Sequence, residues 1–294
     1  MAAKPIAPLI VIAGPTASGK SSLAMELAEK YEGEIICADS RTIYIGMDIG
    51  TAKPSKEDQL AVPHWGLDLV RPGEYFSAAD FKAYADIKIT EIRDRGHVPF
   101  LVGGTGLYID SVIFNYQFGA PVNKKRRTQL NESSLEELNE YCKTNNIKLP
   151  ENEKNKRYII RAIENANSIT KRQSTPLENT VIVGITTDKV LLRSRIEERA
   201  EHLFEDGVVQ EATLLGKRYG WESEAMTSNI YKLMHQYNDG ILSYDELQTR
   251  FLTSDWQLAK RQLTWLKRNQ FIQWFSLFDA KNYLVRMLAN RLES

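Results

Sequence analysis

The sequence has only two cysteines, Cys37 and Cys142, and four histidines. They do not recur at metal-ligand spacing, and two cysteines are too few for a disulfide framework. A reduced, cytoplasmic compartment is expected. No stretch approaches the roughly 18 uninterrupted apolar residues that a membrane span needs. The opening "MAAKPIAPLIVIAG" is a poor signal peptide, because its apolar run reads as a strand feeding Gly14. Net charge is also lacking: 38 Lys and Arg balance 38 Asp and Glu across 294 residues. That balance argues against a protein that coats nucleic acid indiscriminately.

What charge there is lies unevenly. Between Pro121 and Thr175, twelve Lys and Arg face seven Glu and no Asp. A basic segment on a neutral chain points to a defined anionic partner, although a solvated helical face gives the same count. Short β-branched runs read as buried strands: "LIVIAG", "EIICAD", "VPFLVGG", "VIVGITT" and "FIQWFS". Helical stretches lie between the first three. Ser21 to Lys30 has Leu23, Leu27 and Ala28 on one face; Ala78 to Arg95 has Phe81, Tyr84, Ala85 and Ile92. Strands alternating with helices predict an α/β fold with a mostly parallel sheet. The alternation stops after Asp110. "SSLEELNEYCKTNN" and "KNKRYIIRAIENAN" favour helix, predicting an α-helical insertion over 116–175 between core segments 1–115 and 176–294. The last third is again helical, around Leu191–Tyr219, Ser243–Thr253 and Ser254–Asn269. "KPSKEDQLAVP" and "KRQSTPLEN" read as loops. Nothing in the pattern demands more than a monomer.

Gly14-Pro15-Thr16-Ala17-Ser18-Gly19-Lys20-Ser21 matches G-x-x-x-x-G-K-[ST] and lies between a strand and a helix. The glycines let the chain wrap until successive N–H groups point at phosphate oxygens, and the following helix adds its positive end. Lys20 would neutralise the outer phosphate, and the Ser21 hydroxyl would enter the coordination sphere of Mg²⁺. Such loops usually hold a nucleoside triphosphate, with a carboxylate ending another strand to order metal and water. Here "VPFLVGG" ends in Gly103-Gly104-Thr105, without an acid, whereas "EIICAD" ends in Asp39. An aspartate leaving a strand is often only a turn former. The glycine turn Gly103–Gly106 should nevertheless emerge beside it, bringing the Thr105 hydroxyl to the same ligand. These parts suit one proton to remove and one phosphate-bearing group to expel.

"GPTASGKS", "DSxxIYxGMDIGTAKP", "FSAADF", "LVGGTGLY" and "QLAKRQLTWLK" occur in the order found in the tRNA dimethylallyltransferases, or tRNA isopentenyltransferases, which the chain resembles from Ile10 to about Trp274. The resemblance implies a P-loop NTPase-like parallel sheet core with an inserted α-helical domain. It implies transfer of a dimethylallyl group from dimethylallyl diphosphate to N6 of adenine-37 of tRNA, with Mg²⁺. Asp39 would then take the amine proton, Lys20 would stabilise the leaving diphosphate, Thr105 would position the reacting groups, and the adenine would flip from its stack.

By matching family positions, Asp39, Ser40, Arg41, Thr42, Thr105, Arg127 and the run Arg157-Tyr158-Ile159-Ile160-Arg161 face the tRNA. Read by residue type, Ile159, Ile160 and Ile163 belong to a core, and Arg126 is an alternative to Arg127. On "WQLAKRQLTWLKRN", Lys260, Arg261, Lys267 and Arg268 suit either solvent or RNA, while Leu258, Leu263 and Leu266 suit packing. Three stretches depart from the family pattern. Thr42 replaces a usual Gln, Asp255-Trp256-Gln257 replaces Thr-Arg-Gln, and Ile230 replaces the glycine before Tyr231-Lys232. Alternatives are an adenylate isopentenyltransferase acting on free AMP, ADP or ATP, a P-loop small-molecule kinase, and a non-catalytic RNA-binding remnant.

Overall fold

In the computed structural model, residues 6–119, 123–166 and 171–292 are described. The first five residues and, within the expected insertion, 120–122 and 167–170 lie outside them. Elements follow in the order β1 (Leu9–Ala13), α1 (Lys20–Lys30), β2 (Gly33–Ala38), α2 (Lys56–Ala61), β3 (His64–Trp65), α3 (Ala78–Asp94), β4 (Val98–Gly103) and α4 (Gly106–Ile113). Next come α5 (Lys124–Glu132), α6 (Leu135–Thr144), α7 (Lys156–Asn165), β5 (Thr180–Ile185), α8 (Lys189–Glu205) and α9 (Val208–Tyr219). The chain ends with α10 (Asn229–Asn238), α11 (Tyr244–Leu266), β6 (Gln273–Phe275) and α12 (Leu277–Leu292).

The six strands form one parallel sheet in the order β3-β2-β4-β1-β5-β6. All five strands read from the sequence are present; β3, two residues long, was not among them. β1, β2 and β4 are buried throughout, which is why they read as unbroken apolar runs rather than alternating ones. Ile10, Ile12, Ile35, Phe100 and Val183 from the sheet pack with Leu23 and Leu27 of α1 and Leu284 and Leu288 of α12. Each such side chain, fully buried, contributes about 1.5–3 kcal/mol. The stretch expected as one helix over Leu191–Tyr219 is two. Gly207, at φ +94°, starts α9 with no side-chain cap. The two expected over 243–269 are one long helix, α11, because no glycine or proline interrupts it. "KPSKEDQLAVP" is not all loop, since Ser55 caps α2 through a reciprocal bond with Asp58.

The chain divides into two compact units: Met1–Phe114 with Thr175–Ser294, and Asn115–Ser174. The second holds α5, α6 and α7. Its core is Leu138, Cys142, Ile159, Ile160 and Ile163, with Leu130, Leu135, Ile147 and Leu149 packed against it. An antiparallel bridge from Gln117 to Lys171 closes its neck.

Candidate active site

Three connections leave the carboxyl edge of the sheet side by side, because β2 and β1 flank β4. The turn after β1 carries Gly14–Ser21, the expected phosphate loop. Ala17 and Gly19 take left-handed φ values of 59° and 85°, and Gly14 donates its N–H to the Gly103 carbonyl. The close wrap needs glycine at 14, where a Cβ would stand 2.7 Å from Ser18 Oγ. Gly19 supplies α1 with no side-chain cap, in contrast to the serine capping boxes of α2, α3, α6 and α11. The first-turn N–H groups of α1 are thereby left for an anion. Buried Ser18 Oγ has no partner among the described residues. The loop is braced from afar: Thr16 N–H donates to Gln262 Oε1 on α11 at 2.8 Å, and Arg195 of α8 donates to the Ser18 carbonyl at 3.3 Å.

Asp39 stands one residue past β2. Its Oδ1 accepts the Arg41 N–H at 2.8 Å, which orients the carboxylate. Thr105 is the N-cap residue of α4, yet its hydroxyl makes no cap bond there. It turns instead to the Asp39 loop and accepts the Ser40 N–H at 3.2 Å, while Thr105 N–H donates to the Ala38 carbonyl. The expected meeting of the two turns is therefore present. α11 lies against the second one: a Cβ on Gly104 would strike the Gln262 amide, and one on Gly106 the Trp265 indole. Trp265 Nε1 then donates to Asp110 of α4 at 2.8 Å.

These turns open into one cleft of about 1180 Å³. It is lined by Thr16 to Ser22, Asp39 to Thr42, Thr105 and, from the helices, Arg195, Arg199, Asp255, Leu258, Arg261 and Gln262. The helical arginines were not singled out in the sequence, where an arginine on an amphipathic helix carries no distinguishing mark. Lys20 Nζ donates to the Pro15 carbonyl at 3.1 Å. Enclosure pushes its pKa down to about 8; the Asp39 carboxylate opposes this and Arg199 adds to it, so the three charges share one field. Burial, with Asp39, pushes the Cys37 thiol up to about 12 and leaves it neutral. Of the departures, Thr42 is buried and donates to the Asp39 carbonyl at 3.5 Å. Ile230 is buried at the cleft wall, and Trp256 packs on Leu192 and Ile196.

"GMDIGTAKP" shapes the cleft wall. The N–H groups of Asp48, Ile49 and Gly50 converge on the Glu211 carboxylate of α9 at 2.7–2.9 Å, and Tyr231, fully buried, donates its hydroxyl to the same group at 2.6 Å. Lys53 holds Asp48 and Asp68 at 2.5 and 2.7 Å. Beyond this knot, Gly50 to Ser55 line the cleft.

The remaining expected RNA-facing residues belong to the other unit. Arg127 and Arg161 both pair with Glu164 and, against the burial that would raise it, hold that carboxyl below its ordinary value. Arg157 and Tyr158 are exposed. Ile159 and Ile160 are corrected: at 0% and 2% exposure they fill the unit's core, and their side chains are out of reach of RNA.

With cleft and insert described, comparison with known proteins is informative. A profile described as IPP transferase matches residues 42–269. The chain belongs to the IPP transferase family. A tRNA dimethylallyltransferase of Anoxybacillus flavithermus is 36% identical over 282 residues, covering 92% of this chain and 91% of its own. One from Acetivibrio thermocellus is 37% identical over 299 residues, covering 95% and 96%. The solved tRNA isopentenylpyrophosphate transferase of Bacillus halodurans superposes with a TM-score of 0.74 at 33% identity, over 97% of this chain and 98% of that one. The family profile begins past the phosphate loop and Asp39, so the roles of those residues rest on geometry.

Proposed function

We propose that this chain transfers a dimethylallyl group to tRNA, the activity its relatives' names print, with dimethylallyl diphosphate as donor and N6 of adenine-37 in the anticodon loop as acceptor. The observation that carries this reading is the meeting of the phosphate loop with Asp39 and Thr105 in one cleft. Asp39 accepts a proton from the exocyclic amine as its nitrogen forms a bond to the allylic carbon. The carbon–oxygen bond breaks, and its electron pair leaves with diphosphate. Thr105, whose oxygen already accepts from Ser40, keeps its hydroxyl proton to direct at substrate. Lys20, the first-turn N–H groups of α1, Arg195 and Arg199 take up the leaving group's charge.

No group of three or more His, Cys, Asp or Glu able to hold a metal occurs among the described residues. Exposed Ser21 supplies one hydroxyl at the helix start, which suits Mg²⁺ arriving with the diphosphate and taking most of its oxygens from phosphate and water. When bound there, the ion supplies charge neutralisation of the diphosphate. Exposed Arg157 and Tyr158 would serve a phosphate and an unstacked base.

The test is to supply Mg²⁺ and dimethylallyl diphosphate with an anticodon stem-loop containing adenines 36 and 37, or with AMP or ATP. N6-dimethylallyladenosine in the stem-loop alone is the expected result. Product on free AMP or ATP would move the chain to the adenylate isopentenyltransferases. ATP-dependent phosphorylation of a small molecule would make it a kinase.

A further inference from the structure

One carboxylate in the cleft, paired with Arg199, has no task in that reaction. Asp255, on α11, is 3% exposed, lines the cleft and ion-pairs through Oδ2 with an Nη of Arg199 on α8. A buried ion pair rarely improves stability over well-packed apolar side chains, because desolvating two charges costs about as much as their attraction returns. Its place in the fold therefore asks for another reason. Arg199 lies within the electrostatic field of Lys20, at the phosphate end of the cleft, and borders a second cavity of about 530 Å³ that shares Arg195 and Glu198 with it.

The chemistry supplies a reason. A site that stabilises a leaving diphosphate with Lys20, Arg195 and Arg199 also binds the free product, since both carry the same charge. Too much positive charge traps the product. Asp255 engages one guanidinium nitrogen, and no second side-chain partner of Arg199 occurs among the described residues. A guanidinium has five N–H donors in a fixed fork, so one edge can be anchored while the other meets phosphate. The carboxylate meanwhile subtracts one charge from the site.

We propose that Asp255 is a positioning residue that anchors Arg199 and, by its negative charge, loosens the hold on the diphosphate product so that it leaves. This rests on the reading that diphosphate is held in this cleft.

The experiment is calorimetric titration of inorganic diphosphate, with Mg²⁺, into wild-type, Asp255→Asn, Asp255→Thr, Arg199→Gln and the Arg199→Gln/Asp255→Asn double variant. Asn keeps an acceptor for the guanidinium and removes only the charge; Thr gives a second uncharged variant, and thermal melts report folding. Both Asp255 variants should bind diphosphate about ten-fold more tightly and show stronger product inhibition with lower kcat. In the Arg199→Gln background the gain should shrink below about two-fold, because an unpaired buried carboxyl takes up a proton. A purely structural Asp255 would not tighten binding. Unchanged or weaker binding in both variants, or an equal gain without Arg199, overturns the proposal. Absence of diphosphate binding by the wild-type protein would overturn the cleft reading itself, and this inference with it.

Discussion

In the proposed reaction Asp39 and Lys20 meet one ligand with opposite demands, and substitution should separate them. Asp39→Asn keeps the turn's shape and removes the proposed base. kcat should fall by about 10²–10⁴ while the donor KM stays within about three-fold, as read in steady-state assays. Equal loss in both would take Asp39 out of that role. Lys20 gives a pH signature. Its native pKa of about 8 lies below the ordinary 10.5, so the charged form costs stability. That cost is full below about pH 8 and relieved as pH climbs toward 10.5. Lys20→Met should therefore stabilise the unliganded protein at pH 7, on the order of 2 kcal/mol in denaturant titrations, while abolishing donor binding. In the wild-type protein, donor affinity should decline above about pH 8 and binding there should take up a proton. Calorimetry in buffers of different ionisation enthalpy reads that uptake directly.

Among elements, the loop held by Glu211 makes the sharpest case. Three amides and a buried phenol converge on one carboxylate from 161 to 163 and 20 residues away. Glu211→Ala leaves all four donors unpaired and should cost about 3 kcal/mol in unfolding free energy. Glu211→Gln, which keeps one acceptor oxygen, should cost less. Both should raise the donor KM, since Gly50 to Ser55 line the cleft. The sequence announces this loop through its glycines but not its keeper, because an isolated glutamate on a helix reads as solvated surface. The same limit hid Arg195, Arg199 and Gln262, whose roles arise from contacts across the chain. What was legible has local physical causes. Short β-branched apolar runs gave the principal strands, and Gly14 to Ser21 announced its own turn. β3 is too short to carry a period, and α12 follows β6 too closely for its helical pattern to stand apart.

Across the whole molecule, each unit contains a carboxylate that cationic partners hold below its ordinary value against burial. Burial would raise Glu34, but Arg95, His97 and Trp65 hold it down; Arg127 and Arg161 do the same for Glu164. Both carboxyls are held below their ordinary value, so the stability they confer is present above the ordinary carboxylate range and lost as pH falls through the native values. Amide protection in each unit should drop as pH falls below the ordinary carboxylate range, and Glu164→Gln should flatten that dependence in α5–α7 alone. The bond from Thr16 to Gln262 also orders events during synthesis. The phosphate loop emerges first from the ribosome, but its brace lies 246 residues later. At about 5–20 residues per second the brace follows after roughly 12–50 s. A nascent chain thus carries an unfinished loop for nearly all of its making, and a messenger cut short before α11 yields a protein in which the Gly14–Ser21 turn was never braced by Gln262.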